Sequence, residues 1–275
     1  MSGQPTITIC IPHWQVLDYI KACLRSIQKH SGRYNLDVIV VDNGSRDESL
    51  DYLRSLDWIR LIERPEEVHT NWPMNVFTAW DCGFAASQSR YYVTMHSDVF
   101  VKRDGWLDPL IREIERDENI AASGAWKLDI ENPLYALQKR VVGYSTGRIK
   151  QLLGRKKAVR WKQGHYPRDY CAMYRRTAMA EHGLTFRPVH GQGGGYSVAR
   201  QLWDAGYSMG MVPTREMARN VFHVAHGTAA VKPEKRLNHA RAQKKVEEKV
   251  GGLFRERWIR DLLLDDSLDG LRAAA

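Results

Sequence analysis

The chain has 275 residues, 43% of them hydrophobic. That is enough apolar material for one large domain, or a domain with an appendage, and too much for a disordered chain. The formal net charge of +9 favours anionic partners, but no zinc-ligand set, helix-turn-helix signature or RNA-binding motif accompanies it, so no recognised nucleic-acid module is present.

The opening residues MSGQPTITICIPHW carry no basic start and no long apolar stretch, and no run approaches the roughly 20 apolar residues of a membrane-spanning helix. A cytoplasmic protein is expected. Thr6 to Ile11 reads as a buried strand that Pro12 ends. Leu17, Ile20, Leu24 and Ile27 share a face of a helix over Val16 to His30. Leu36 to Val41 is a continuous apolar strand of the kind covered on both faces in a parallel sheet. Asp42-Asn43-Gly44-Ser45 is a turn, after which Asp47 caps a helix through Leu56. A strand over Ile59 to Glu63, a helix over Asn75 to Ser89 and a strand over Tyr91 to Met95 follow. The last ends at His96-Ser97-Asp98.

This alternation predicts a doubly wound α/β half. Ligands in such sheets sit beyond the carboxyl ends of the strands. Pro12-His13-Trp14, the Asp42 turn and His96-Ser97-Asp98 all fall there. Further on, the pattern predicts a helix over Trp106 to Asp117 and strands over Ile120 to Trp126 and Tyr170 to Tyr174. A short helix to His182, a helix over Tyr196 to Ala205 and a strand over Tyr207 to Val212 complete it. The tail from Pro233 is helical, with an apolar stripe at Leu253, Phe254, Trp258, Ile259 and Leu262 expected to pack on the core. Cys10, Cys23, Cys82 and Cys171 are widely spaced and read as reduced thiols.

ITICIPHWQVLDYIKACLRSI followed by LDVIVVDNGSRDES resembles the opening of family 2 glycosyltransferases. YYVTMHSDVFV stands where that family carries its DxD motif, and DYCAMYRRTAMAEHGLTF, RQLWDAGYSMGMVP and NVFHVAHGT continue the resemblance in the family's order, from about Thr6 to Thr228. The resemblance implies a GT-A fold: a mostly parallel central sheet flanked by helices. It suggests one catalytic domain over 1–230, with a nucleotide-binding half at 1–100 and an acceptor-side half at 101–230. A helical extension over 231–275 follows.

It further implies transfer of a sugar from a UDP- or dTDP-linked donor, with inversion, assisted by a divalent metal, Mn2+ or Mg2+. Asp98 corresponds to the metal-contacting aspartate. His96 replaces the first aspartate of DxD and is a candidate for ribose or metal contact alongside Ser97. His226, then His223, are candidates for completing the metal shell. Asp42 and Asn43, with Ser45 in the same turn, match the base-recognising segment, and Pro12, His13 and Trp14 border the base.

The family's catalytic carboxylate falls in HGQGGGYSVARQL, which has none. His190 is the nearest ionisable group, with Asp169 and Asp204 as other possibilities. No acidic residue occurs from Asn132 to Arg168, and that basic insert, with Leu152, Leu153 and Trp161, fits a lipid-linked acceptor at an anionic membrane face. A glycan acceptor is the alternative. The altered DxD and the missing carboxylate support a second reading, a catalytically idle nucleotide-sugar or glycan-binding protein.

Overall fold

A computed structural model of the chain describes residues 6–64, 72–128, 166–189, 191–232 and 238–270, with short pieces between 141 and 154. Continuous apolar runs become central strands. β1 (Ile7–His13) lies between β2 (Leu36–Asp42) and β4 (Tyr91–Met95), parallel to both, and β3 (Arg60–Glu63) adds to the outer side of β2. On the other side come β7 (Cys171–Arg175), β6 (Ile120–Gly124) and β8 (Ser208–Met211). Among the described residues these form one sheet in the order β3-β2-β1-β4-β7-β6-β8. β7 alone of these runs against its neighbours.

Helices α1 (Leu17–His30), α2 (Glu48–Arg54), α3 (Trp72–Ala86) and α4 (Asp108–Glu115) make the crossovers. Asp47 caps α2 by accepting from Ser49 N at 3.3 Å, and its other oxygen accepts from Val16 N at 2.9 Å. One carboxylate thus fixes the entry to two helices. The second half supplies α5 (Arg176–Glu181), α6 (Gly195–Asp204), α7 (Thr214–Asn220) and α8 (Gly227–Val231).

Pro12 does not end β1, as its lack of an N–H had suggested. The pairing with β4 stops at Cys10, while Pro12 and His13 remain in register with Val41 and Asp42 of β2. At that point the strand has a neighbour on one side, where proline is tolerated. Two strands not anticipated from the sequence, β5 (Val99–Val101) and β9 (Val221–His223), pair antiparallel outside the main sheet. Three-residue strands are too short to show an alternation of their own.

The tail forms α9 (Ala240–Leu253) and α10 (Arg257–Leu264). Its apolar stripe joins the same hydrophobic cluster as β1, α1 and β5. Phe254 stacks on Tyr19 at 5.5 Å, and Trp258 meets Phe100 and Phe222 edge-on. Arg25, buried on α1, donates to the Leu262 and Leu263 carbonyls at 3.0 and 2.6 Å and pairs with Asp266 and Asp269. All four cysteines are free thiols. No described helix is long and apolar enough to cross a membrane.

Candidate active site

The parallel strands β1, β2, β4 and β6 all end at one rim. Because β7 is reversed, its leading residues Arg168, Asp169 and Tyr170 arrive at that same rim, and Tyr170 O accepts from His96 N at 3.1 Å. A cleft of about 570 Å³ opens there. Pro12, His13 and Trp14 line one side, with Asn43. His96, Ser97 and Asp98 form the floor, and His223 and His226 come from the late segment. Lys127, Arg168 and Lys249 add positive charge to the wall.

The antiparallel pairing of β5 with β9 sets Val99 against His223, and so brings His223 beside Asp98. His223 Nε2 lies 3.3 Å from Asp98 Oδ1. Asp98 Oδ2 accepts from Gly227 N at 3.0 Å. Gly227 must be bare for this approach, since a Cβ would fall 2.8 Å from the Tyr19 ring and 3.1 Å from Asp98. The Tyr170 ring stacks on His223 with centroids 4.8 Å apart and planes at 17°, which fixes the imidazole's orientation.

His96, Asp98 and His223 each offer one ligand atom, and these atoms lie within 4.8 Å of one another. His96 Nε2 and Asp98 Oδ1 are buried without a hydrogen-bond partner. Buried polar atoms of this kind are costly unless something else satisfies them, and a nitrogen and an oxygen aimed at a shared space are the donors a divalent ion takes. The residues therefore fit a metal. Burial pushes the His96 imidazole down, against the opposing negative charges of Asp98 and Asp169, which favours the neutral form that a ligand needs. Burial alone would raise the Asp98 carboxyl, but His223, His96 and the Gly227 N–H hold it well below the usual carboxylate range.

Of the two late histidines, His223 enters the cluster, and His226 lines the cleft without belonging to it among the described residues. Ala225 and His226 both adopt left-handed backbone, φ 60° and 63°. Gln15 and Val16, after β1, do the same at 53° and 69°. Two such pairs of non-glycine residues store strain of about 1–3 kcal/mol per residue that the surrounding packing must hold.

The Asp42 turn divides. Asn43 faces the cleft. The Asp42 carboxylate turns back on its own loop, accepting from Gly44 N at 3.0 Å and Ser45 N at 2.9 Å, with Ser45 Oγ also donating to it. Neither Asp42 nor Ser45 is part of the cleft wall. Burial raises the Asp42 carboxyl, and the turn's own hydrogen bonds partly offset this. Asn43 is steadied by Arg64, whose Nη1 donates to its Oδ1 at 3.4 Å. His13 is buried, with Nε2 2.9 Å from Ser49 Oγ and Nδ1 unpartnered.

His190, expected as a base, lies outside the described residues, as do Lys156, Lys157 and Trp161 of the basic insert. Asp204 is exposed and pairs with Arg200 at 3.7 Å on α6, away from the cleft. Sequence reading did not gather Arg168, Tyr170 and Lys249 into the site. The polar triplet before β7 was the available signal for the first two, and it required knowing that β7 is reversed.

Comparison with known proteins agrees with this architecture. The profile described as Glycosyl transferase family 2 matches residues 8–183. An uncharacterized glycosyltransferase of Haemophilus influenzae is 22% identical over 192 residues, covering 69% of this chain and 51% of that protein. The chain thus spans about half the length of that curated relative. An uncharacterized protein of Sinorhizobium fredii, y4gI, is 28% identical over 120 residues, covering 42% of this chain and 13% of that one. Among solved structures, the mannosyltransferase PcManGT from Pyrobaculum calidifontis, in complex with GDP-Man and Mn2+, superposes with a TM-score of 0.54. It shares 15% identity, over 99% of this chain and 78% of that chain.

Proposed function

The chain belongs to glycosyl transferase family 2, and from that premise we propose that it transfers a sugar, with inversion, from a UDP- or dTDP-linked donor to a glycan or lipid-linked acceptor. The observation that carries the reading is the cluster of His96, Asp98 and His223, with two buried unpartnered ligand atoms, at the rim where Asn43 also faces the cleft. His96, Asp98 and His223 hold a divalent ion, Mn2+ or Mg2+, with His226 as a further ligand from the cleft wall. When bound, the ion neutralises the charge that grows on the departing diphosphate. Asn43, through its carbonyl and amide, reads the edge of the base; Pro12 and His13 border the ring and Trp14 stacks on it. Lys127, Arg168 and Lys249 draw phosphate-bearing ligands into the cleft.

A peripheral position at the cytoplasmic membrane face is part of the proposal. Leu152 and Leu153, which are exposed at 85% and 68%, sit within the acid-free insert, and apolar side chains among basic ones suit an anionic lipid surface. Replacing both leucines by glutamate should weaken flotation with anionic vesicles.

A thermal-shift screen of UDP, dTDP and GDP, each with and without Mn2+, tests the donor and the metal together. A diphosphate at 100 times its Kd stabilises the fold by about 2.7 kcal/mol. A shift that requires both Mn2+ and UDP or dTDP is expected; the same shift without Mn2+ would remove the metal from the proposal, and a shift with GDP alone would replace the donor. The glycine turn Gly193 to Gly195, where a catalytic carboxylate was expected, favours the second reading of an idle nucleotide-sugar-binding protein. That reading gives the shift but no consumption of donor.

A further inference from the structure

We infer that Asp169 is the general base of the transfer, an inference that rests on the transferase reading above. The turn before α6, where sequence reading looked for a carboxylate, cannot carry one at its centre. Gly194 has φ 65° and ψ −148°, a conformation that L side chains rarely adopt. The space beside it is already filled: a Cβ on Gly194 would overlap Asp169 Oδ2 and come 2.9 Å from the Phe77 ring. The carboxylate of Asp169 therefore occupies the volume that a side chain at 194 would enter. It reaches that volume from the start of β7 instead of from the turn.

The carboxylate is held there by geometry. Gly195 N donates to Asp169 Oδ2 at 3.0 Å. With Oδ2 engaged in this way, Oδ1 is the oxygen available to take a proton. Among the described residues lining the cleft, the carboxylates are Asp98 and Asp169. Asp98 belongs to the cluster with His96 and His223, and its Oδ2 accepts from Gly227 N. A base must reach the reacting centre without being one of the groups that hold the leaving diphosphate, and Asp169 lines the cleft outside the His96–Asp98–His223 cluster.

In the step itself, the acceptor hydroxyl oxygen forms a bond to the anomeric carbon as its proton passes to Asp169 Oδ1. The bond from that carbon to the diphosphate oxygen breaks, and the electron pair leaves with the diphosphate.

The test uses the full chain with Mn2+ and a panel of UDP-, dTDP- and GDP-linked hexoses, with water as acceptor and release of nucleoside diphosphate as the readout. Asp169→Asn keeps an oxygen for Gly195 N but cannot take the proton. It is expected to lower hydrolysis by about 100-fold or more, with donor Kd within about twofold of the parent. Sodium azide, an anion with no proton to lose, is expected to restore diphosphate release. Hydrolysis at the parental rate would overturn the assignment. So would a loss that azide does not repair, since that is the mark of a structural role at the turn. His190→Ala serves as the control: a loss confined to that variant moves the base to His190. If Asp169→Asn does not fold, the pair Asp169→Glu and Asp169→Gln, equal in size, carries the test. Hydrolysis retained in Glu and lost in Gln supports the base, and equal rates refute it. No turnover of any donor by the parent protein would overturn the transferase reading and this inference with it.

Discussion

His13 offers a prediction whose size follows from its surroundings. Its imidazole is 1% exposed, and burial pushes its pKa down to about 3, only slightly opposed by Asp47. In the unfolded chain a histidine titrates near 6.5. The folded value lies below the unfolded one, so the unfolded chain binds the proton first as pH falls. Stability is therefore complete above about pH 6.5 and is lost progressively from there toward pH 3. Linkage with these two values gives a loss of about 2 kcal/mol between pH 7.5 and pH 5 from this one group. Urea unfolding of the ligand-free protein at several pH values across that range measures the slope. Other groups titrate too, so the comparison is with His13→Gln, whose side chain reaches Ser49 but does not ionise. The parent should lose about 2 kcal/mol more than the variant over the interval. Parallel pH profiles for the two proteins would refute the claim that His13 is held neutral by burial.

Three further outcomes are expected. Asp98→Asn should fold but bind Mn2+ more weakly, by about 10- to 100-fold in calorimetric titration, because the triad loses its anionic ligand. Tyr170→Leu, which removes the ring stacked on His223, should raise the Mn2+ Kd several-fold, whereas Tyr170→Phe should leave it unchanged. Arg25→Met strips a charged donor from the Leu262 and Leu263 carbonyls, while Asp266, which is largely exposed, regains water. We expect a loss of about 2–4 kcal/mol, read by denaturant unfolding, and faster proteolysis of the α10 segment.

The first half of the fold is legible because its signals are local and strong. Leu36 to Val41 can only be a covered strand, and the helical face of α1 is set by Leu17, Ile20, Leu24 and Ile27. The rim follows from the alternation, so Asp98, His96 and Asn43 are foreseeable as neighbours. What sequence hides is whatever depends on pairing across long separations. The place of His223 beside Asp98 comes from two three-residue strands more than a hundred residues apart. Asp169 reaches the cleft through the reversal of β7, which leaves no trace in its own composition. The Asp42 carboxylate looks available in sequence, yet Gly44 and Ser45 supply nearer donors within the turn, and local hydrogen bonding wins.

The clasp between Arg25 and the last described turns bears on synthesis at the ribosome. Tyr19, Phe100 and Arg25 lie in the first hundred residues, but their packing partners Phe254, Trp258 and Asp269 emerge far later, with Arg25 and Asp269 separated by 244 residues. Lys249, which donates to the His223 and Val224 carbonyls behind the His96, Asp98 and His223 cluster, is equally late. A nascent chain halted short of α9 therefore carries a finished first half with an uncovered oily flank and an unbraced histidine. Such an intermediate is a natural client for chaperones that shield apolar surface, and productive closure of the cleft waits on the arrival of α9 and α10.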